Sequence, residues 1–150
     1  MDIVPFEPHH QAACEAIIES LPTWFGIPES NAGYMKNLSA LPTWVAIDGG
    51  EVVGTVTLEQ HFPHAYECHY IAVRAGHHRR GIGRALLEHA EQEARAAGGR
   101  WIHVKTLGPS HPDEGYKLTR AFYESMGYVP LFETHELWPG NPALVAVKQL

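Results

Sequence analysis

The stretch His78-Arg79-Arg80-Gly81-Ile82-Gly83-Arg84 carries the most specific chemistry in this sequence. It follows an apolar segment ending at Val73 and leads into Ala85 to Ala97, a run of strong helix formers. A strand, a glycine turn and a helix start together make an anion site. The first turn of a helix has unpaired N–H groups, and its dipole favours negative charge. Gly81 and Gly83 let a ligand approach the backbone with no Cβ in the way. Arg79, Arg80 and Arg84 set cations beside it, an arrangement suited to a pyrophosphate. Glycines also occur in such turns for packing alone; the arginines and the long helix favour phosphate. The Gly-Lys-Ser/Thr of a P-loop is absent, as is the third glycine of a dinucleotide fingerprint, so nucleotide sites of those kinds are not expected.

A second constellation could move protons. Glu67, His69, Ile71 and Val73 share one face of a strand if that strand is regular. Burial raises a glutamate towards neutrality and a histidine starts near it, so either could deprotonate an amine; ordered water is a third route. The chain has eleven histidines. His61, His64, Glu67 and His69 could converge on a metal, but their spacing fits no standard ligand motif, and none is expected.

The 150 residues fit one domain, 1–150, with one core. Apolar residues are 45% and charged residues 19%, ordinary for a globular chain. No apolar run approaches the roughly 20 residues that span a bilayer. The N-terminus lacks the basic and apolar regions of a secretory signal, and Cys14 and Cys68 form no disulfide framework, so a reducing cytoplasm is expected. The net charge of −6 hides an asymmetry: residues 1–73 hold Lys36 as their one lysine or arginine, whereas Arg74, Arg79, Arg80 and Arg84 lie close together. So local a basic cluster suits a small polyanion better than nucleic acid, which needs a broad basic face.

These residues need elements to position them. Met1–Phe6 reads as a strand, His9–Leu21 as a helix, 21–28 as a loop and Glu29–Leu38 as a second helix. Thr43–Ile47 and Val52–Gln60 flank an Asp-Gly-Gly hairpin turn, and Tyr66–Val73 continues the meander. The helix after the glycine turn stops at Gly98-Gly99. Trp101–Thr106 is a strand, Glu114–Met126 a helix ended by Gly127, and Tyr128–Phe132 and Leu144–Lys148 are final strands. A meander followed by alternating helix and strand gives an α/β (α+β) domain on one sheet.

Ile71-Ala72-Val73, the segment from His78 to Leu87, and Arg120-Ala121-Phe122-Tyr123-Glu124-Ser125-Met126-Gly127-Tyr128 resemble the GNAT superfamily of N-acetyltransferases. Its signature is Gln/Arg-x-x-Gly-x-Gly/Ala. Gly81 and Gly83 match it, while His78 stands in the Gln/Arg place. Val104 to Ser110 also resembles a bacterial subgroup of unknown substrate. The resemblance covers at least residues 43–132. It implies a mixed, mostly antiparallel sheet of about six or seven strands flanked by about four helices. It implies acetyl-CoA as acyl donor, with no metal cofactor, and a primary amine, expected to be that of a small molecule, as acceptor. Ile71, Ala72 and Val73 would then pair with the pantetheine arm, and the Val73 N–H would face the thioester carbonyl. His78 to Arg84 would hold the pyrophosphate. Tyr123 falls at the position of the phenol that protonates the leaving thiolate, and Glu67 and His69 at positions where members carry a base.

Trp24 and Phe25, in the loop between the first two helices, would line the acceptor site, and the acidic N-terminal half favours a cationic acceptor. Two departures bear on that site. Tyr116 stands where many members have Asn, and Thr119 where they have a smaller residue. Homodimers are common in the family, but this sequence shows no interface. A second class of function stays open, an acyl-CoA-binding sensor without turnover, as does a protein amine as acceptor.

Overall fold

The computed structural model describes residues 1–150. Seven strands, β1 (Asp2–Pro5), β2 (Thr43–Asp48), β3 (Glu51–Phe62), β4 (Ala65–Val73), β5 (Trp101–Leu107), β6 (Val129–Trp138) and β7 (Asn141–Gln149), form one sheet in the order β1-β2-β3-β4-β5-β7-β6. Four helices pack on it: α1 (Gln11–Glu19), α2 (Pro28–Ala40), α3 (Ile82–Ala96) and α4 (Glu114–Ser125). No helix is long and apolar enough to cross a membrane.

Two clusters of buried side chains cover the sheet. Leu86, Leu87, Ala90 and Ala94 of α3 pack with Val56, Leu58, Cys68 and Ile102. Cys14, Ile17 and Ile18 of α1 and Leu38 of α2 pack with Val45, Tyr70 and Ala72. Local chemistry explains the turns: Gly49 and Gly50 take positive φ between β2 and β3, as the Asp-Gly-Gly sequence predicts.

Two differences from the sequence reading matter. The β6–β7 hairpin is longer than expected, because β6 runs to Trp138 with most of its residues exposed and so lacks the alternation that marks a strand. The helix after the glycine turn begins at Ile82, three residues earlier than expected, with Gly81 left-handed at its N-cap.

Every neighbouring pair of strands is antiparallel except β4 and β5. These run parallel and pair over only three positions, Ala65–Trp101, Tyr66–Ile102 and Glu67–His103. Beyond them the two strands part, and the edge of β4 from Cys68 to Val73 faces open space.

Candidate active site

The opening between β4 and β5 is a cleft of about 1120 Å³. That exceeds the roughly 300–1,000 Å³ of a site for one small ligand. Its walls include Ile71, Ala72 and Val73 from β4, Lys105 to Leu107 from β5, the start of α3, one side of α4, and Trp24 and Phe25 from the α1–α2 loop.

Hydrogen-bond phase decides which backbone groups face the cleft. The Arg74 N–H donates to the Val53 carbonyl at 2.8 Å, and Gly54 lies opposite Val73. Bonded and non-bonded pairs alternate in an antiparallel ladder, so the N–H and C=O of Val73 point away from β3 and into the opening. The Val73 carbonyl is taken by His78 Nε2 at 2.9 Å. His78 thus ties the turn to the end of β4, and its ring meets Trp24 edge-on.

The turn itself is shaped by two left-handed residues, Arg79 (φ 65°) and Gly81 (φ 78°). The Ala85 N–H donates to the Gly81 carbonyl, which leaves the N–H groups of Ile82, Gly83 and Arg84 without an i−4 partner. Gly83 lies against Phe122 and Val73, and a Cβ there would make only ordinary contact. His78, Arg79, Gly81, Ile82, Gly83 and Arg84 all line the cleft, whereas Arg80 is exposed and off its wall. Arg80, the one residue from His78 to Arg84 outside the lining, follows the left-handed Arg79.

Tyr123 lines the cleft from α4 and is 7% exposed. Burial, with the neighbouring Cys68, Tyr116 and Tyr34, pushes its phenol well above the ordinary value, so it stays protonated at neutral pH. His69 also lines the cleft. Glu59 lies 3.3 Å from its Nδ1 and the Asn37 amide 3.1 Å from its Nε2, so both ring nitrogens are oriented.

Glu67 stands differently. The register between β3 and β4 slips at Thr57/Leu58, making His69 an extra residue on β4. This bulge breaks the alternation expected of Glu67, His69, Ile71 and Val73. Ile71 and Val73 pack towards α3, while Glu67 and His69 turn to the face of α1 and α2. Glu67 is outside the cleft wall. Burial alone would raise its carboxyl, but hydrogen bonds from His103 and His61 and the charge of Lys105 reverse that and hold it down at about 2. The bonding partners His61 and His103 approach to 2.7 and 3.3 Å; His103 carried no signal in the sequence.

Trp24 forms a roof. Its indole N–H donates to Thr119 Oγ1 at 3.3 Å, and the Tyr116 hydroxyl donates to its carbonyl at 2.6 Å. The two residues that depart from the family pattern therefore lash the α1–α2 loop to α4. Phe25, Tyr34 and Tyr70 pack ring against ring beneath it. Among the acids, Asp113 alone lines the cleft, where it caps α4; none of those in residues 1–73 does. The surplus of acids in that half thus gives no support to a cationic acceptor.

Six buried polar side-chain atoms have no hydrogen-bond partner, and five belong to residues lining the cleft: Asn31 Oδ1, the Tyr70 hydroxyl, His77 Nδ1, Thr106 Oγ1 and His111 Nδ1. Buried polar groups are normally paired, so this concentration marks a surface built to meet a polar ligand.

Comparison with known proteins agrees with this geometry. A mycothiol acetyltransferase of Cellulomonas flavigena is 41% identical over 67 residues, which are 43% of this chain and 19% of that protein; the match thus spans about a fifth of the relative's length. A solved acetyltransferase of the GNAT family from Desulfovibrio desulfuricans superposes with a TM-score of 0.85 over 99% of this chain and 98% of its own, at 19% identity. An aminoglycoside 6'-N-acetyltransferase complexed with coenzyme A does so with a TM-score of 0.77 over 99% and 97%, at 20% identity. The family model for the acetyltransferase (GNAT) domain matches residues 40–130, which take in the open edge of β4, the glycine turn and Tyr123, and by that match this chain belongs to the GNAT acetyltransferases.

Proposed function

We propose that residues 1–150 form one acetyltransferase domain that moves an acetyl group from acetyl-CoA to the primary amine of a small molecule. The observation that carries this reading is the cleft where β4 and β5 part, with bare N–H groups of α3 at one end and Tyr123 on its wall. The pyrophosphate would rest on the N–H groups of Ile82, Gly83 and Arg84, with Arg79 and Arg84 beside it. The pantetheine arm would extend β4, and the Val73 N–H would polarise the thioester carbonyl.

The free amine attacks that carbonyl, and a tetrahedral oxyanion forms. The base assignment moves to His69, which lines the cleft and is oriented by Glu59; its Nε2 takes the amine proton, directly or through water, once the Asn37 amide that now meets it gives way. Glu67, held down at about 2 and off the wall, is too weak a base for that step. The carbon–sulfur bond then breaks, and Tyr123 gives its proton to the thiolate. Trp24, pinned by Tyr116 and Thr119, narrows the acceptor entrance and supports a small acceptor over a protein chain.

Calorimetric titration with acetyl-CoA, beside CoA and ATP, tests the donor site. Micromolar binding of acetyl-CoA without comparable ATP binding supports it, and a panel of small amines followed by thiol release then tests turnover. Failure to bind acetyl-CoA would remove the reading.

A further inference from the structure

Outside the cleft, three side chains converge on the α1/α2 face of the sheet. His61, Glu67 and His103 each offer one atom, and these atoms all lie within 4.8 Å of one another. From this geometry we infer that His61, Glu67 and His103 form a binding site for one divalent transition-metal ion of the zinc class, separate from the acetyl-transfer machinery.

The placement follows from the strands. Glu67 lies opposite His103 in the last paired position between β4 and β5. A second irregularity, between Gln60 and Phe62, makes His61 an extra residue on β3 and turns its ring to the same carboxylate. Both imidazoles meet one oxygen, Oε1, at 2.7 Å for His61 and 3.3 Å for His103. Ligand atoms about 2.0–2.2 Å from a four-coordinate zinc sit at comparable mutual distances, so small side-chain shifts admit an ion. Lys105 Nζ spans the carboxylate, 3.3 Å from Oε2 and donating to Oε1 at 3.4 Å, so an arriving ion takes over Oε1 and leaves the ammonium on Oε2 as an outer partner.

Two imidazoles and a carboxylate are the ligand set of many three-residue zinc sites, which leave a fourth position for water. That position is reachable here: the side chains of His61 and His103 are 37% and 25% exposed, whereas Glu67 is 5% exposed. Lys105 adds a competing positive charge, which keeps the affinity modest. The imidazoles satisfy a borderline metal, and a single carboxylate oxygen is too little for calcium or magnesium. A bound ion would cross-link β3, β4 and β5 just where β4 and β5 part, and so stiffen the base of the cleft.

The test is titration of the metal-stripped protein with Zn2+, with Co2+ as a spectroscopic probe. One equivalent should bind in the micromolar range, raise the melting temperature, and with Co2+ give the visible absorption of a low-coordinate nitrogen and oxygen site. His103→Ala, at a partly exposed position, should weaken binding by more than about tenfold. A control with the exposed His9 and His135 both changed to Ala should leave it unchanged. Zinc binding that is absent, or that is lost in the control and kept in His103→Ala, would overturn the inference as adventitious capture by exposed imidazoles. Acetyl-CoA binding, measured on the same metal-free samples, reports separately on the proposed transferase site.

Discussion

Replacing Tyr123 by Phe removes one oxygen and keeps the ring. The ring packs against Phe122 and Tyr128 and belongs to the larger buried cluster, so its contacts survive. Stability should change by less than about 1 kcal/mol, since a buried aromatic surface of nearly the same shape remains. The donor site also survives, because its N–H groups lie on α3, and the affinity for CoA should stay within about twofold. The chemical step should suffer. General acid catalysis contributes roughly 10²–10⁴. A thiolate, with a pKa of about 8.5, needs less help in leaving than an alkoxide, so the lower end applies: about a hundredfold in kcat, or roughly 2.7 kcal/mol of barrier. The pH dependence adds an independent reading. Burial raises the Tyr123 phenol above its ordinary value, so it remains the proton-bearing form throughout the range in which an amine acceptor becomes free base. The rate should therefore climb with pH as the acceptor deprotonates and show no fall assignable to Tyr123 below about pH 10. Steady-state thiol release from pH 6 to 10, with calorimetry for CoA, measures both quantities. A Tyr123→Phe protein with unchanged kcat would refute the assignment of the acid, and a wild-type fall near pH 8–9 that vanishes in the variant would refute the upward push on its phenol.

Further outcomes are expected elsewhere. At Gly81 a Cβ meets no atom within 4 Å, but φ is 78°, so Gly81→Ala costs about 1–2 kcal/mol of backbone strain and should weaken acetyl-CoA binding more than it lowers the melting temperature. In Gly54→Ala the Cβ would meet Leu86 at 2.9 Å and the Ala72 carbonyl and Ile82 at 3.1 Å; urea unfolding should show a loss of about 1–3 kcal/mol. The Tyr128 hydroxyl donates to the buried Glu91 at 2.7 Å, and Tyr128→Phe should cost about 1.5–3 kcal/mol by the same assay while leaving kcat near wild type. Thr119→Val takes away the acceptor of the Trp24 indole; amine panels of increasing size should show KM falling for bulkier acceptors, and a size profile identical to wild type would count against the roof.

Legibility in the sequence followed the range of the interactions concerned. The glycine turn was readable because it is local: Gly81 is left-handed at the N-cap, Gly83 follows in the first turn of the helix, and the arginines sit within a few residues of both. Even there a local pattern could not show which of the arginines line the cleft: Arg79 and Arg84 do, and the exposed Arg80 does not. The face of Glu67 relative to Val73 was misread because the bulge at His69 shifts the period of β4 by one residue, and no residue type announces a bulge. His103 was invisible as a partner because parallel strands bring together residues far apart in the chain with no motif between them. The same holds for Glu91, which gathers Tyr128 and Lys148 from two other elements and so turns an acid on a helix into a buried anchor. Tyr116 and Thr119 are the instructive case between these extremes. The sequence marked them as departures without saying what they do; the structure shows both reaching Trp24, so a change at α4 and a change in the α1–α2 loop act on one entrance. On the proposed function, the two departures from the family pattern thus meet at the acceptor side of the cleft, and the acceptor is best sought by altering that roof rather than the turn and strand edge proposed to hold the acyl donor.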